Sequence, residues 1–207
     1  MKFIYVFLMF LFFVQTMEAQ GKLYRFCSDS VCGYKNKKGE VRVVPGRYVC
    51  DRPVIKRPVL LQSADDGSWF MVDVSGRELC QIYVVDATPD CYGKGLIRIV
   101  KDGLVGFADK KGRLVVLPKY NRVERFSGKY TVANVGAEPQ DNSATDADAS
   151  VSWTGGKWGV LDRKGDLVLP FVYDREWNEN LSCYQYVQDG NVFRLSEKGK
   201  IVWLRSK

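Results

Sequence analysis

The chain has 207 residues, 46% of them hydrophobic and 13% aromatic, enough apolar material for a packed core and too much for intrinsic disorder. It contains no histidine, which excludes Ser-His-Asp and Cys-His catalysis together with the histidine-bearing zinc hydrolase motifs. The formal net charge of +7 makes the surface basic, which serves either plain solubility or contact with anionic polymers and lipid headgroups; nucleic acid is not expected as a partner.

The first element is a predicted leader. Lys2 precedes an uncharged apolar run from Phe3 to Val14, followed by polar residues to Gln20. That run is too short to cross a hydrocarbon core and has the size of a secretory h-region. Residues 1–19 therefore read as a helical signal peptide, cut near Ala19, with an uncleaved anchor as the alternative. The mature chain, 20–207, is expected to be exported to the periplasm or beyond. No later segment is long and apolar enough to span a membrane, so the mature chain is expected to be soluble.

All six cysteines (Cys27, Cys32, Cys50, Cys80, Cys91 and Cys183) follow the leader. In an exported chain they are disulfide candidates, Cys27 with Cys32 and Cys80 with Cys91 being the pairs near in sequence. The alternative is that some are ordinary buried thiols. There is no Cys-x-x-Cys knuckle, so no metal site is expected. No Gly-Lys-Ser/Thr stands at P-loop spacing, and no cofactor is expected.

The mature chain repeats itself. Residues 105–120 and 158–173 align as a hydrophobic residue and Gly, two apolar positions, Asp, a two-residue link, Gly, an apolar run, Pro and Tyr. Fainter copies surround Gly39, Gly76 and Gly199. With Gly112 and Gly165 the turn glycines lie 37, 36, 53 and 34 residues apart. The long interval holds residues 137–152, rich in Asp, Ala, Ser and Thr, which read as a solvated loop inserted into one copy. Asp73, Asp109 and Asp162, with Asn36, stand three residues before their glycine, where an Asx side chain can bond turn N–H groups while Gly takes a positive φ. These aspartates are therefore structural, and each motif is a β-hairpin.

A further strand ending in Gly precedes three of the hairpins, at 96–103, 130–136 and 184–190, twice as Asp-Gly, and residues 21–26 resemble 128–132. The expected fold is all-β: five three-stranded antiparallel meanders, over about residues 21–56, 57–92, 93–126, 127–180 and 181–207. A meander this small cannot cover both faces of its own sheet, so neighbours must do so. An open or curled array satisfies that requirement, and a closed, propeller-like ring is the alternative.

These residues resemble the WG repeat, a bacterial β repeat with a Trp-Gly pair, an Asp-x-x-Gly turn and an apolar run ending in Pro and a nearby Tyr. Trp158-Gly159 with Asp162, Gly165, Pro170 and Tyr173 is the clearest copy; Cys32-Gly33, Trp69-Phe70 and Val192-Phe193 stand at the degenerate Trp-Gly positions. The resemblance implies an architecture and a bacterial source, but no chemistry.

Two tryptophans, Trp153 and Trp177, lie outside the repeat pattern, where they serve either recognition of a sugar or protein, or packing against a neighbour. Asp174, Glu176 and Glu179 form an acidic segment in which a carboxylate pair could act on glycosides. The leading expectation is a non-catalytic binding or scaffold protein of the cell envelope, whose partner is a protein or an envelope polymer. A carbohydrate-active enzyme and a purely structural repeat protein are the alternatives.

Overall fold

A computed structural model describes residues 21–139 and 153–204. The leader and residues 140–152 of the expected loop lie outside the described residues. The described chain is all-β without a helix, so no described helix could cross a membrane, and none of its sheets is closed.

Five three-stranded antiparallel runs follow one another. They are β1 (Leu23–Ser28), β2 (Val31–Lys35) and β3 (Val41–Val43); β5 (Val59–Gln62), β6 (Trp69–Val72) and β7 (Glu78–Ile82); β10 (Leu96–Lys101), β11 (Leu104–Asp109) and β12 (Leu114–Tyr120); β14 (Tyr130–Pro139), β15 (Trp153–Asp162) and β16 (Leu167–Asn178); and β17 (Cys183–Gln188), β18 (Asn191–Leu195) and β19 (Ile201–Leu204). Four short strands lie between them: β4 (Val54–Ile55), β8 (Val84–Val85), β9 (Thr88–Pro89) and β13 (Arg122–Val123).

The third strand of a meander hands over to the next one. β16 pairs with β15 through Tyr173 and then with β17 from Asp174 onward. β7 likewise pairs with β6 and, through Gln81 and Ile82, with β10. After β12 the chain bends at Asn121 and pairs with β14 as β13. After β3, Val49 donates to the Gln62 carbonyl and Ala64 to that of Arg47, joining the chain to the end of β5.

A bulge makes the bend possible. Between the pairs Phe107 to Val116 and Val105 to Tyr120, β11 advances two residues and β12 four. Val160 to Leu169 and Trp158 to Tyr173 do the same. Such extra residues bend a strand and let it change sheets. Pro118 and Pro170 occupy the bulges, where a missing N–H costs no ladder bond. The facing glycine is required because a Cβ on Gly106 would strike the Val116 carbonyl, and one on Gly159 would lie 2.8 Å from the Leu169 carbonyl. The last meander has Phe193 in this place and pairs in unbroken register from Val192 to Leu195.

Four apolar clusters hold the meanders together, and each bridges two neighbours. Tyr34 and Val43 pack with Leu61 and Val72; Met71 and Ile82 with Ile97 and Ala108; Phe107 and Val116 with Ala133 and Leu161; and Val160 and Tyr173 with Tyr186 and Phe193.

The expected loop needs one correction. Residues 137–139 are not loop but the end of β14, paired to β15 through Pro139 and Trp153. Ala137, Glu138 and Pro139 hid this end of the strand, since none has a β-branched or aromatic side chain.

Candidate binding surfaces

The five turn glycines share one setting. Gly39, Gly76, Gly112, Gly165 and Gly199 have φ of 84°, 86°, 77°, 88° and 61°. In each turn the glycine N–H donates to the carbonyl of the residue three before it, Asn36, Asp73, Asp109, Asp162 or Ser196. Oδ1 of Asn36, Asp73, Asp109 and Asp162 accepts two further backbone N–H groups, two and four residues on. Burial acts to raise the Asp109 pKa, but hydrogen bonds from Arg113, with those of the turn, hold it below the ordinary carboxylate range. These aspartates are committed to the backbone, leaving little capacity for a ligand.

Among the cysteines, Cys27 and Cys32 form a disulfide across the first hairpin. Cys50, Cys80, Cys91 and Cys183 are free thiols, so the pairing of Cys80 with Cys91 is not made. Burial pushes the Cys80 thiol up to about 11 and raises Cys50 as well, so both stay protonated at neutral pH.

Trp153 starts β15 opposite Pro139 and is half-buried. Trp177 is exposed and meets Tyr184 edge-on, ring centroids 5.0 Å apart. Register places Arg175 and Trp177 beside Tyr184 and Tyr186 on one face of β16 and β17. There Arg175 lies 3.6 Å from the Tyr184 ring centroid and 4.7 Å from that of Trp158, while donating to Glu124 at 2.8 Å. Asp174 and Glu176 point from the opposite face. Both oxygens of Asp174 accept from Lys157 at 2.8 Å, and Glu176 accepts from Gln185. Glu179 lies in the exposed turn beyond, accepting from Ser182 through its backbone carbonyl. Alternation along a strand thus parts the carboxylates from the aromatic face.

A groove of about 580 Å³ runs across parts of the first three meanders. Arg52 and Arg57 come from the segment around β4, Trp69 from β6, Tyr92 from the segment after β9, and Lys110 from the turn between β11 and β12. The lining therefore carries three cations and one carboxylate, Asp51. Lys110 lies 5.8 Å from the Tyr92 ring centroid. The Trp69 indole N–H is buried without a partner among the described residues. A cationic wall beside two aromatic faces and a spare donor suits an anionic, ring-bearing ligand. Spacing along the sequence gave no sign of this groove, because its residues come from four separate segments; only the net charge hinted at it.

A second polar feature involves the segment that carries Pro89 and Tyr92. Asp90 is buried and accepts from the Arg98 side chain at 2.9 and 3.0 Å, from the Arg98 N–H at 3.1 Å, and from Arg125 at 2.8 and 3.0 Å. Arg98 also donates to the Val123 carbonyl. Burial would raise the Asp90 pKa, but the hydrogen bonds and charge of Arg98, joined by Arg125, hold it below the ordinary range. This network fixes the segment that carries Tyr92 onto β10.

No curated protein and no solved structure matches the chain. A family model, the WG containing repeat, matches residues 106–136 and 158–185. Those stretches begin at the bulge glycine Gly106 and at Trp158, and include the turns at Gly112 and Gly165; the chain is a WG repeat-containing protein.

Proposed function

We propose that this chain is an exported, non-catalytic binding protein of the bacterial cell envelope, built as an open array of five WG-type units, and that it holds an anionic envelope polymer in the groove beside Trp69 and Tyr92. The observation that carries this reading is the groove's composition: Arg52, Arg57 and Lys110 outnumber Asp51 around two aromatic rings. Five equivalent turns and four seams support the unit count. The non-catalytic reading is supported by Asp174, whose carboxylate is occupied by Lys157, and by the turn aspartates, which are spent on backbone N–H groups.

Titration calorimetry with polygalacturonate, and with uncharged dextran as control, tests the groove. Polygalacturonate is expected to bind with an affinity that falls as salt rises. Arg57→Glu combined with Lys110→Glu is expected to weaken it about tenfold or more. Equal binding of dextran, or an unchanged affinity in the double variant, would overturn the assignment. Export is tested by fractionating cells and sequencing the N-terminus of the protein recovered: a start near Gln20 in the envelope fraction is expected, and retention with Met1 in the cytoplasm would refute it.

A further inference from the structure

We propose that copies of this chain associate head to tail, the outer face of the first meander docking on the outer face of the fifth and repeating the seam that joins the first four meanders. Within the chain the first three seams share one form. The Cβ position of Gly76 is filled by the Arg42 backbone, that of Gly112 by Leu79, and that of Gly165 by Val116, 2.9 Å away. In each case a turn glycine of one meander sits on the third strand of the meander before it. The second and third meanders thus present a turn on one side and a third strand on the other, and the two are complementary; the last seam differs, Gly199 resting on the Gly128 backbone at the start of the fourth meander.

The ends leave both halves of this seam open. Gly39 adopts the same turn at φ 84°, yet among the described residues nothing lies within 4 Å of its Cβ position. Around it, register places Tyr24, Lys35 and Val41 on one face, Val41 being exposed, and Lys22, Lys37 and Lys38 flank them. At the far end, register places Val187, Val192 and Leu204 on one face, with Arg194 and Val202 beside them. The apolar members are only half-buried. The Arg194 Nε–H is buried without an acceptor among the described residues. Glu176 and Asp189 line a shallow depression of about 330 Å³ on this same face; Asp174, also there, is already paired with Lys157.

A lysine-rich turn end therefore faces an apolar strand end carrying two carboxylates free of ion pairs among the described residues. The two faces are different surfaces, so the contact is heterologous: it leaves one face open at each end and adds copies along a line instead of closing a pair.

Sedimentation over a concentration series, without polymer, tests this. The average mass is expected to climb past that of a dimer without reaching a plateau. Lys37→Glu with Lys38→Glu blocks one face, and Glu176→Lys with Val202→Lys blocks the other; each variant alone is expected to stay monomeric. Mixed in equal amounts, they should form a one-to-one pair that grows no further, because each retains one intact face. The pair also demonstrates that both variants are folded. Three results would overturn the proposal: a wild-type protein that stays monomeric at every concentration, one that stops at a closed dimer, or a mixture that does not pair.

Discussion

The central and terminal meanders have the same turns but live in different surroundings. Strands β10 and β11 are buried along four consecutive positions each, both faces covered. In β1 and β18 burial reaches single positions, and one face meets solvent. Hairpin geometry is therefore set locally by the Asx-Gly turn, whereas stability comes from how many neighbours a meander has. A terminal meander, with one neighbour, depends more on covalent and local devices, and the first has the Cys27–Cys32 disulfide.

The sharpest way to break this comparison is to truncate the same residue type in both settings. Phe107 is 1% exposed and sits in the seam between the third and fourth meanders. Phe107→Ala is expected to cost about 3–5 kcal/mol in urea unfolding. Phe26, half-buried on the outer face of β1, should cost well under half as much on truncation. Equal losses would remove the distinction between centre and end.

Next comes the buried charge network that only a central meander possesses. Asp90→Asn leaves Arg98 without its partner and is expected to cost about 3 kcal/mol or more. Because the Asp90 pKa is depressed on folding, its contribution is complete above the unfolded value of about 4 and is lost as pH falls through the folded value. Wild type should lose stability on acidification through that window, and Asp90→Asn should lose less. A wild-type stability that is flat with pH there would contradict the network's role.

Turn glycines give a smaller and more selective contrast. Gly39→Ala meets only the strain of positive φ, about 1 kcal/mol. Gly76→Ala adds a collision with the Arg42 backbone and should reach about 3 kcal/mol. Thermal melts that rank the two equally would show that the seam yields freely. Loss of the disulfide falls between these two: Cys27→Ala with Cys32→Ala should cost about 2 kcal/mol, and hydrogen exchange should localise the loosening to the first meander.

How much of this was legible depended on where the determinants lie along the chain. The turns were readable because Asp109, Lys111, Gly112 and Arg113 interact within five residues, and the same spacing recurs. The bulge was half-readable: Gly106 and Pro118 stand out, but their meeting across strands is a tertiary fact. The Asp90, Arg98 and Arg125 network was missed, since its members lie up to 35 residues apart and nothing in their spacing marks them. Trp69 stands at a repeat's Trp position and packs against the cluster around Met71 and Ile97, yet its half-buried ring also lines the groove. Burial of a repeat residue depends on what its neighbour places opposite, and that varies even when the motif does not. The cysteine pairing of 80 with 91 failed for a similar reason: sequence nearness does not bring two sulfurs together when a strand pair, β8 with β9, intervenes.

Since every apolar cluster joins only adjoining meanders, the molecule has no single centre whose loss would melt the whole. Damage should remain near where it occurs, and a pulling force applied at the two ends should peel the chain in steps, one seam at a time, starting where a meander is held from one side alone. Such serial yielding would absorb extension while the inner seams keep their shape.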